Sequence, residues 1–232
     1  MSFTHSKDSR FAFGSTAIAA YLTGFTTSTT VDTADSTDIT SASRNYVPGL
    51  TDSSITASGL FEPLYDTPAV AAFGAASASP VTVAPAGFAL GNPVVVLSGR
   101  EISYELSGAV GEVVAANITI QGDGRFDSGV SLIDLAEVTA TGTGSVHTAA
   151  AGTSSGGVGT LHVTACSGTL TVKIQHSTNN STWSDLLTFT AATGATSERV
   201  VVAGAVNKYL RASYTLTGVG AAATFTTNLA RR

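Results

Sequence analysis

At 232 residues the chain is long enough for one large β domain or two small ones, each with a proper core. Hydrophobic residues make up 43% and charged residues only 12%, with a formal net charge of −5, which excludes the high-charge, low-hydrophobicity balance of a disordered chain. A single cysteine, Cys166, excludes an intrachain disulfide framework, and no run of about 18 apolar residues marks a transmembrane helix.

Phe11 to Leu22 follows Lys7 and Arg10 and contains Ala17-Ile18-Ala19, but Gly14, Ser15 and Thr16 interrupt its apolar run. It reads as a first strand of the mature protein and not as a signal peptide. Leu22 to Val31 is a Thr-rich strand. Asp32 to Ser43 is too rich in Asp, Ser and Thr to pack and reads as a long loop, and Pro48-Gly49 as a turn. Ile55, Ala57, Gly59 and Phe61 then share one strand face. Asp66-Thr67-Pro68 opens a short helix over Ala69 to Ala76 that Pro80 ends. Val81 to Leu90 is an edge or bulged strand. Val94 to Leu106 is a long strand, with Glu101, Ser103 and Glu105 alternating against Ile102, Tyr104 and Leu106. Glu112 to Gln121 pairs back onto it, and Gly122-Asp123-Gly124 breaks the chain, so a domain boundary is placed near 128.

The second half predicts seven short strands at near-regular spacing: 132–140, 159–166, 169–177, 183–191, 198–203, 208–216 and 222–230. Gly, Asn, Ser and Thr separate them, as in a β-sandwich or jelly roll. Charge divides along the chain. Residues 1–130 hold twelve acidic and five basic residues, a net −7; residues 131–232 hold four and six, a net +2. An acidic first half argues against a phosphate-gripping surface there.

No catalytic constellation emerges. His5, His147, His162 and His176 form no spaced metal pair, although His162 and His176 are candidates to face each other from neighbouring strands. Cys166 reads as a buried structural thiol with no basic neighbour in sequence. No Gly-x-Ser-x-Gly elbow is present, and the glycines from Gly152 to Gly159 lack the Lys and following helix of a phosphate cradle. Asp32, Asp35 and Asp38 lack the glycine and terminal Glu of a calcium loop. Glu101 and Glu105 on one face are the pairing a glycosidase uses, but the polar face of a sheet explains them more simply. The expectation is no enzyme, no cofactor and no metal. Trp183 sits in a hairpin, Gln175 to Leu186, that resembles those of carbohydrate-binding sandwiches. It either packs over its own turn or binds glycan.

The opening segment, from Ser2-Phe3-Thr4-His5-Ser6-Lys7 through Tyr46-Val47-Pro48-Gly49-Leu50 to Phe61, together with the strand pair Val94 to Gln121, resembles a long-tailed bacteriophage tail tube (major tail) protein over about the first 125 residues. The segments Gln175 to Phe189 and Asn207-Lys208-Tyr209-Leu210-Arg211 to Arg232 resemble the appended half of such proteins in phages of actinobacteria. The resemblance implies a mainly β chain: residues 1–128 a tail-tube-type sandwich or barrel with one short helix and a long loop, and residues 129–232 a jelly-roll-like sandwich. It implies stacked hexameric rings in the virion tail, assembled in the bacterial cytoplasm, that conduct DNA during ejection. The implied partners are copies of the chain and the tape measure, tail terminator and distal tail proteins; DNA is met only in transit, and no membrane is involved. Glu101, Ser103 and Glu105 are then the lumen candidates, and Asp32, Asp35, Asp38 and Arg44 the contacts between rings. A glycan-binding adhesin module using Trp183, or a capsid decoration protein, is the alternative.

Overall fold

Side chains on a strand alternate between two faces, so a strand with one covered face shows alternating burial. Leu170, Val172 and Ile174 are buried while Thr171, Lys173 and Gln175 are only partly covered. The structure, a computed structural model, describes residues 6–18, 22–62 and 69–232. After a 3-10 turn (Ser6–Asp8) come β1 (Arg10–Phe13), β2 (Thr16–Ile18), β3 (Leu22–Asp35), β4 (Tyr46–Leu60), β5 (Ser79–Ala84), β6 (Pro93–Ser107), β7 (Ala115–Gly122), β8 (Asp127–Val138), β9 (Gly142–Thr143), β10 (His147–Thr148), β11 (Gly157–Ser177), β12 (Ser184–Thr188), β13 (Thr196–Val202) and β14 (Tyr209–Arg231). The chain is mainly β and antiparallel, with a short helical segment at 69–72.

Two compact units form: unit 1 from 1–22, 79–98 and 127–232, and unit 2 from 23–78 and 99–126. The chain returns to unit 1 for the last time at Asp127. Residues 1–22 and 79–98, expected in the first domain, pack instead with the C-terminal portion.

In unit 1 the strand order is β12-β11-β14-β8-β6-β5-β1-β2, with β13 on β11 and β9 and β10 on β14; β6 contributes only its first residues. β11 and β14 pair from Gly157↔Arg231 to Ser177↔Tyr209. The sequence predicts two strands in each of these stretches, because Gly168 and Gly218–Gly220 read as loops. The structure makes each one bent strand. Ser167 pairs with Ala222 and Thr169 with Thr217, so the glycines absorb a bulge with positive φ at Gly168 (+96°), Gly218 (+126°) and Gly220 (+65°) while pairing resumes on either side. One core groups Leu161, Leu170, Val172, Ile174, Phe189, Leu210 and Phe225; a second groups Ala12, Ala84, Phe88, Val94, Val96, Val158 and Ala230.

Near the start of unit 1, the single strand expected over Phe11 to Leu22 is a β1–β2 hairpin. It turns at Gly14, whose φ is +57°. Ala84 ends β5, and Phe88 is buried from the following turn.

In unit 2 the order is β3-β4-β7-β6. Ser53, Ile55 and Ala57 are buried and alternate with less covered neighbours, as expected. Beyond that point β3 and β4 continue as a two-stranded ribbon. The Thr29 and Ser53 hydroxyls meet at 3.1 Å, and Ser36 N–H donates to Asn45 C=O at 2.9 Å. The long loop expected from Asp32 to Ser43 is therefore shorter: Asp32 and Asp35 lie on β3. Pro48-Gly49, expected as a turn, lies within β4. A proline is tolerated there because the paired register of β4 with β7 begins only at Ser54, so its outer edge needs no N–H. The helix expected over Ala69 to Ala76 is helical only through residue 72 and gives way at Gly74 (φ +68°), and Pro80, expected to end it, belongs to β5. Its expected caps, Asp66 to Pro68, lie outside the described residues.

Candidate assembly and binding surfaces

Unit 2 has an inverted apolar distribution. Among the described residues it buries four hydrophobic side chains, Ile55, Ala57, Ile118 and Ile120, whereas unit 1 buries twenty-eight. Of the sixteen exposed large hydrophobics among the described residues, thirteen belong to unit 2. They cluster on the β3–β4 ribbon (Val31, Ile39, Tyr46, Val47, Leu50) and on β6 and the turn after it (Ile102, Leu106, Val110, Val113, Val114). Scattered exposed apolar residues are ordinary, whereas contiguous apolar patches are what mark interaction surfaces. Unit 2 is also the acidic part, with ten acids against three bases; unit 1 has six acids against eight bases.

The lumen candidates do not share one face. Glu101 pairs with Ile120 and Ser103 with Thr119, so a register shift at Ile102 breaks the alternation on which the expectation rested. Glu101 is 1% exposed, Ser103 half-buried and Glu105 exposed. The Glu101 backbone bridges to Phe73, and its C=O accepts the Gly74 N–H at 3.2 Å. Neither carboxylate oxygen has a hydrogen-bond partner, and burial pushes the group up to about 7 from 4.5.

Along the ribbon all four loop candidates are exposed. Asp35 Oδ1 accepts the Thr37 N–H at 2.9 Å and Asp38 Oδ1 accepts the Thr40 N–H at 2.8 Å. Hydrogen bonds from the Thr37 and Thr40 side chains, together with these Asx-type backbone bonds and one from Ser41 to Asp38, favour the charged form and hold both carboxyls below their ordinary value. The Arg44 guanidinium reaches the Tyr46 hydroxyl at 3.5 Å.

Trp183 is half-buried in the turn before β12. The Arg211 guanidinium, on β14, lies over its ring, 4.2 Å from the centroid.

His162 and His176 both lie on β11 and so do not face each other from neighbouring strands. His162 is fully buried. Its Nδ1 lies 2.7 Å from Gly14 C=O, which only accepts, so Nδ1 carries the proton. Nε2 is then the acceptor for the Thr82 hydroxyl, also at 2.7 Å. Desolvation lowers this imidazole from 6.5 to about 4. Asp127, equally buried, is gripped by Arg232 through Nε and Nη2 and by Arg199 through Nη2, each at 3.0 Å. Burial works against its charge, but these guanidinium contacts prevail and leave the carboxyl below its ordinary value. Neither feature was legible in sequence, since each joins residues more than seventy positions apart. Cys166, expected buried, is half-buried, with Sγ 3.6 Å from Ala192 C=O.

Among the described residues no group of three His, Cys, Asp or Glu side chains converges as metal ligands, and no helix is long and apolar enough to cross a membrane.

No protein-family model matches the chain, and no curated protein does. Solved structures show distant likenesses. A chain of the virion of a native gene transfer agent particle is 19% identical, with a TM-score of 0.47 over 54% of this chain and 98% of its own. A chain of the sheath–tube complex of an extracellular contractile injection system, in its extended state, is 16% identical, with a TM-score of 0.44 over 54% and 90%. The Dit protein of SPP1, described as a paradigm of the hub adsorption apparatus of phages infecting Gram-positive bacteria, is 8% identical, with a TM-score of 0.37 over 95% and 98%.

Proposed function

We propose that this protein is a structural subunit of a bacteriophage tail that assembles with copies of itself as stacked hexameric rings, forming the tube through which DNA is ejected. One observation carries the reading: among the described residues, unit 2 exposes thirteen large hydrophobic residues while burying four. A sheet so poorly covered in one chain is completed by neighbours of the same kind. The exposed outer edge of β4 between Tyr46 and Ser53 is a template for such pairing. The acidic balance of unit 2 suits a conduit that must not bind phosphate, because like charge lowers the residence of DNA at its wall. Ser103 and Glu105, beyond the bulge, are the lumen residues in this reading. Tape measure, tail terminator and distal tail proteins are its further partners.

Negative-stain microscopy of the purified protein tests it. Rings or tubes are expected, and Leu50→Asp with Ile102→Asp should abolish them while leaving unit 1 folded. A chain that remains a monomer at high concentration overturns the proposal.

A further inference from the structure

Unit 1 carries a cluster of linked polar and aromatic side chains across β12, β11 and β14. Arg211 on β14 is held over the Trp183 ring by its Nε, which donates to Gln175 Oε1 at 2.9 Å. Gln175 Nε2 donates to Asp185 Oδ1 at 2.7 Å, and Lys173 Nζ donates to Asp185 Oδ2 at 2.6 Å. The ladder crosses β12, β11 and β14 and fixes the rotamer of each member. Alongside it, the Lys208 ammonium lies 5.4 Å from the Tyr209 ring centroid. Asp185 is engaged by Lys173 and Gln175, so among the described residues neither Arg211 nor Lys208 forms an ion pair with a carboxylate. The result is a rigid Trp, Tyr and Arg surface with two positive charges unbalanced. Preordered aromatic and arginine side chains are the groups that dominate interface energetics.

We propose that this Trp183–Arg211–Tyr209–Lys208 surface is the docking site for the β3–β4 tip of a second copy of this chain. The inference rests on the self-assembly proposed above and names one of its contacts. Charge complementarity selects the occupant. Unit 2 carries a net −7 and unit 1 a net +2. The tip presents the exposed carboxylates Asp35 and Asp38, whose Oδ1 atoms bond their own turn, beside the fully exposed Ile39. An acidic, apolar-tipped ribbon meeting a basic, aromatic sheet face matches in both charge and hydrophobic content.

The test uses the full chain, with light scattering and microscopy at about 0.05 M and about 0.5 M salt, where screening differs severalfold. Assembly should weaken at the higher salt. D35K/D38K and K208E/R211E should each raise the concentration at which assemblies appear roughly tenfold, and the four substitutions combined in one chain should restore it. Should R211E disturb folding, seen in far-UV circular dichroism, Lys208→Glu alone repeats the test, because the ammonium it removes lies over the Tyr209 ring and outside the Arg211–Gln175–Asp185 ladder. Wild-type assemblies unaffected by either pair, or not restored by the combined swap, overturn the docking surface alone. A wild-type chain that never assembles overturns the assembly reading itself.

Discussion

His162 should make unit 1 acid-sensitive within a definable window. The imidazole is buried and neutral, donating to Gly14 C=O and accepting from Thr82. Protonation would turn Nε2 into a donor and place a charge among apolar strands. The folded value, about 4, lies below the ordinary 6.5. The stabilisation is therefore fully present above 6.5 and is lost as the pH falls toward and through 4. A separation of roughly 2.5 units corresponds to about 3 kcal/mol in full and about 2 kcal/mol at pH 5. That is a large share of the roughly 5–15 kcal/mol that holds a domain together. Trp183, the sole tryptophan, lies in unit 1 and reports its unfolding by fluorescence in denaturant. The wild type should lose about 2 kcal/mol between about pH 7.5 and about pH 5. His162→Gln keeps an amide donor and acceptor but cannot titrate. It should be less stable at neutral pH and show a flatter pH dependence. Parallel pH dependences in the two proteins would refute the reasoning. His147 and His176, lowered in the same direction by desolvation, add to the slope but are present in both proteins.

Glu101 predicts the opposite sign for unit 2. Its folded value, raised to about 7 from 4.5, means that its contribution is present below 4.5 and lost as the pH rises through 7. Amide exchange in β6 and β7, corrected for intrinsic rates, should lose protection between about pH 6 and about pH 8 in the wild type but not in Glu101→Gln. Asp127→Asn should cost unit 1 about 3 kcal/mol in denaturant titrations followed by Trp183, because it leaves the Arg199 and Arg232 guanidinium groups facing a neutral amide in a buried site. A loss below about 1 kcal/mol, the range of an exposed ion pair, would show that water already screens the cluster.

Local pattern was enough to read the β character of the chain. Alternation placed Leu170, Val172 and Ile174 inward, and the hairpin of β6 with β7 was legible from its two strands and the turn between them. The acidity of the first half was also a property of the sequence. What local pattern misread are the glycines and the carboxylates. Gly168 and Gly218–Gly220 look like loops because a positive φ usually ends a strand. Here two such sites oppose each other, so β11 and β14 bend together and continue. Glu101, Ser103 and Glu105 look like one face because alternation assumes an unbroken ladder. One extra residue at Ile102 turns Glu101 inward, and nothing in the residue types announces it. The interleaving of the two units, the neutral His162 and the Asp127 clasp all join residues brought together by long-range pairing. Sequence periodicity reports which face of an element is apolar; only the tertiary structure decides which elements cover it, and in unit 2 it leaves much of that face uncovered.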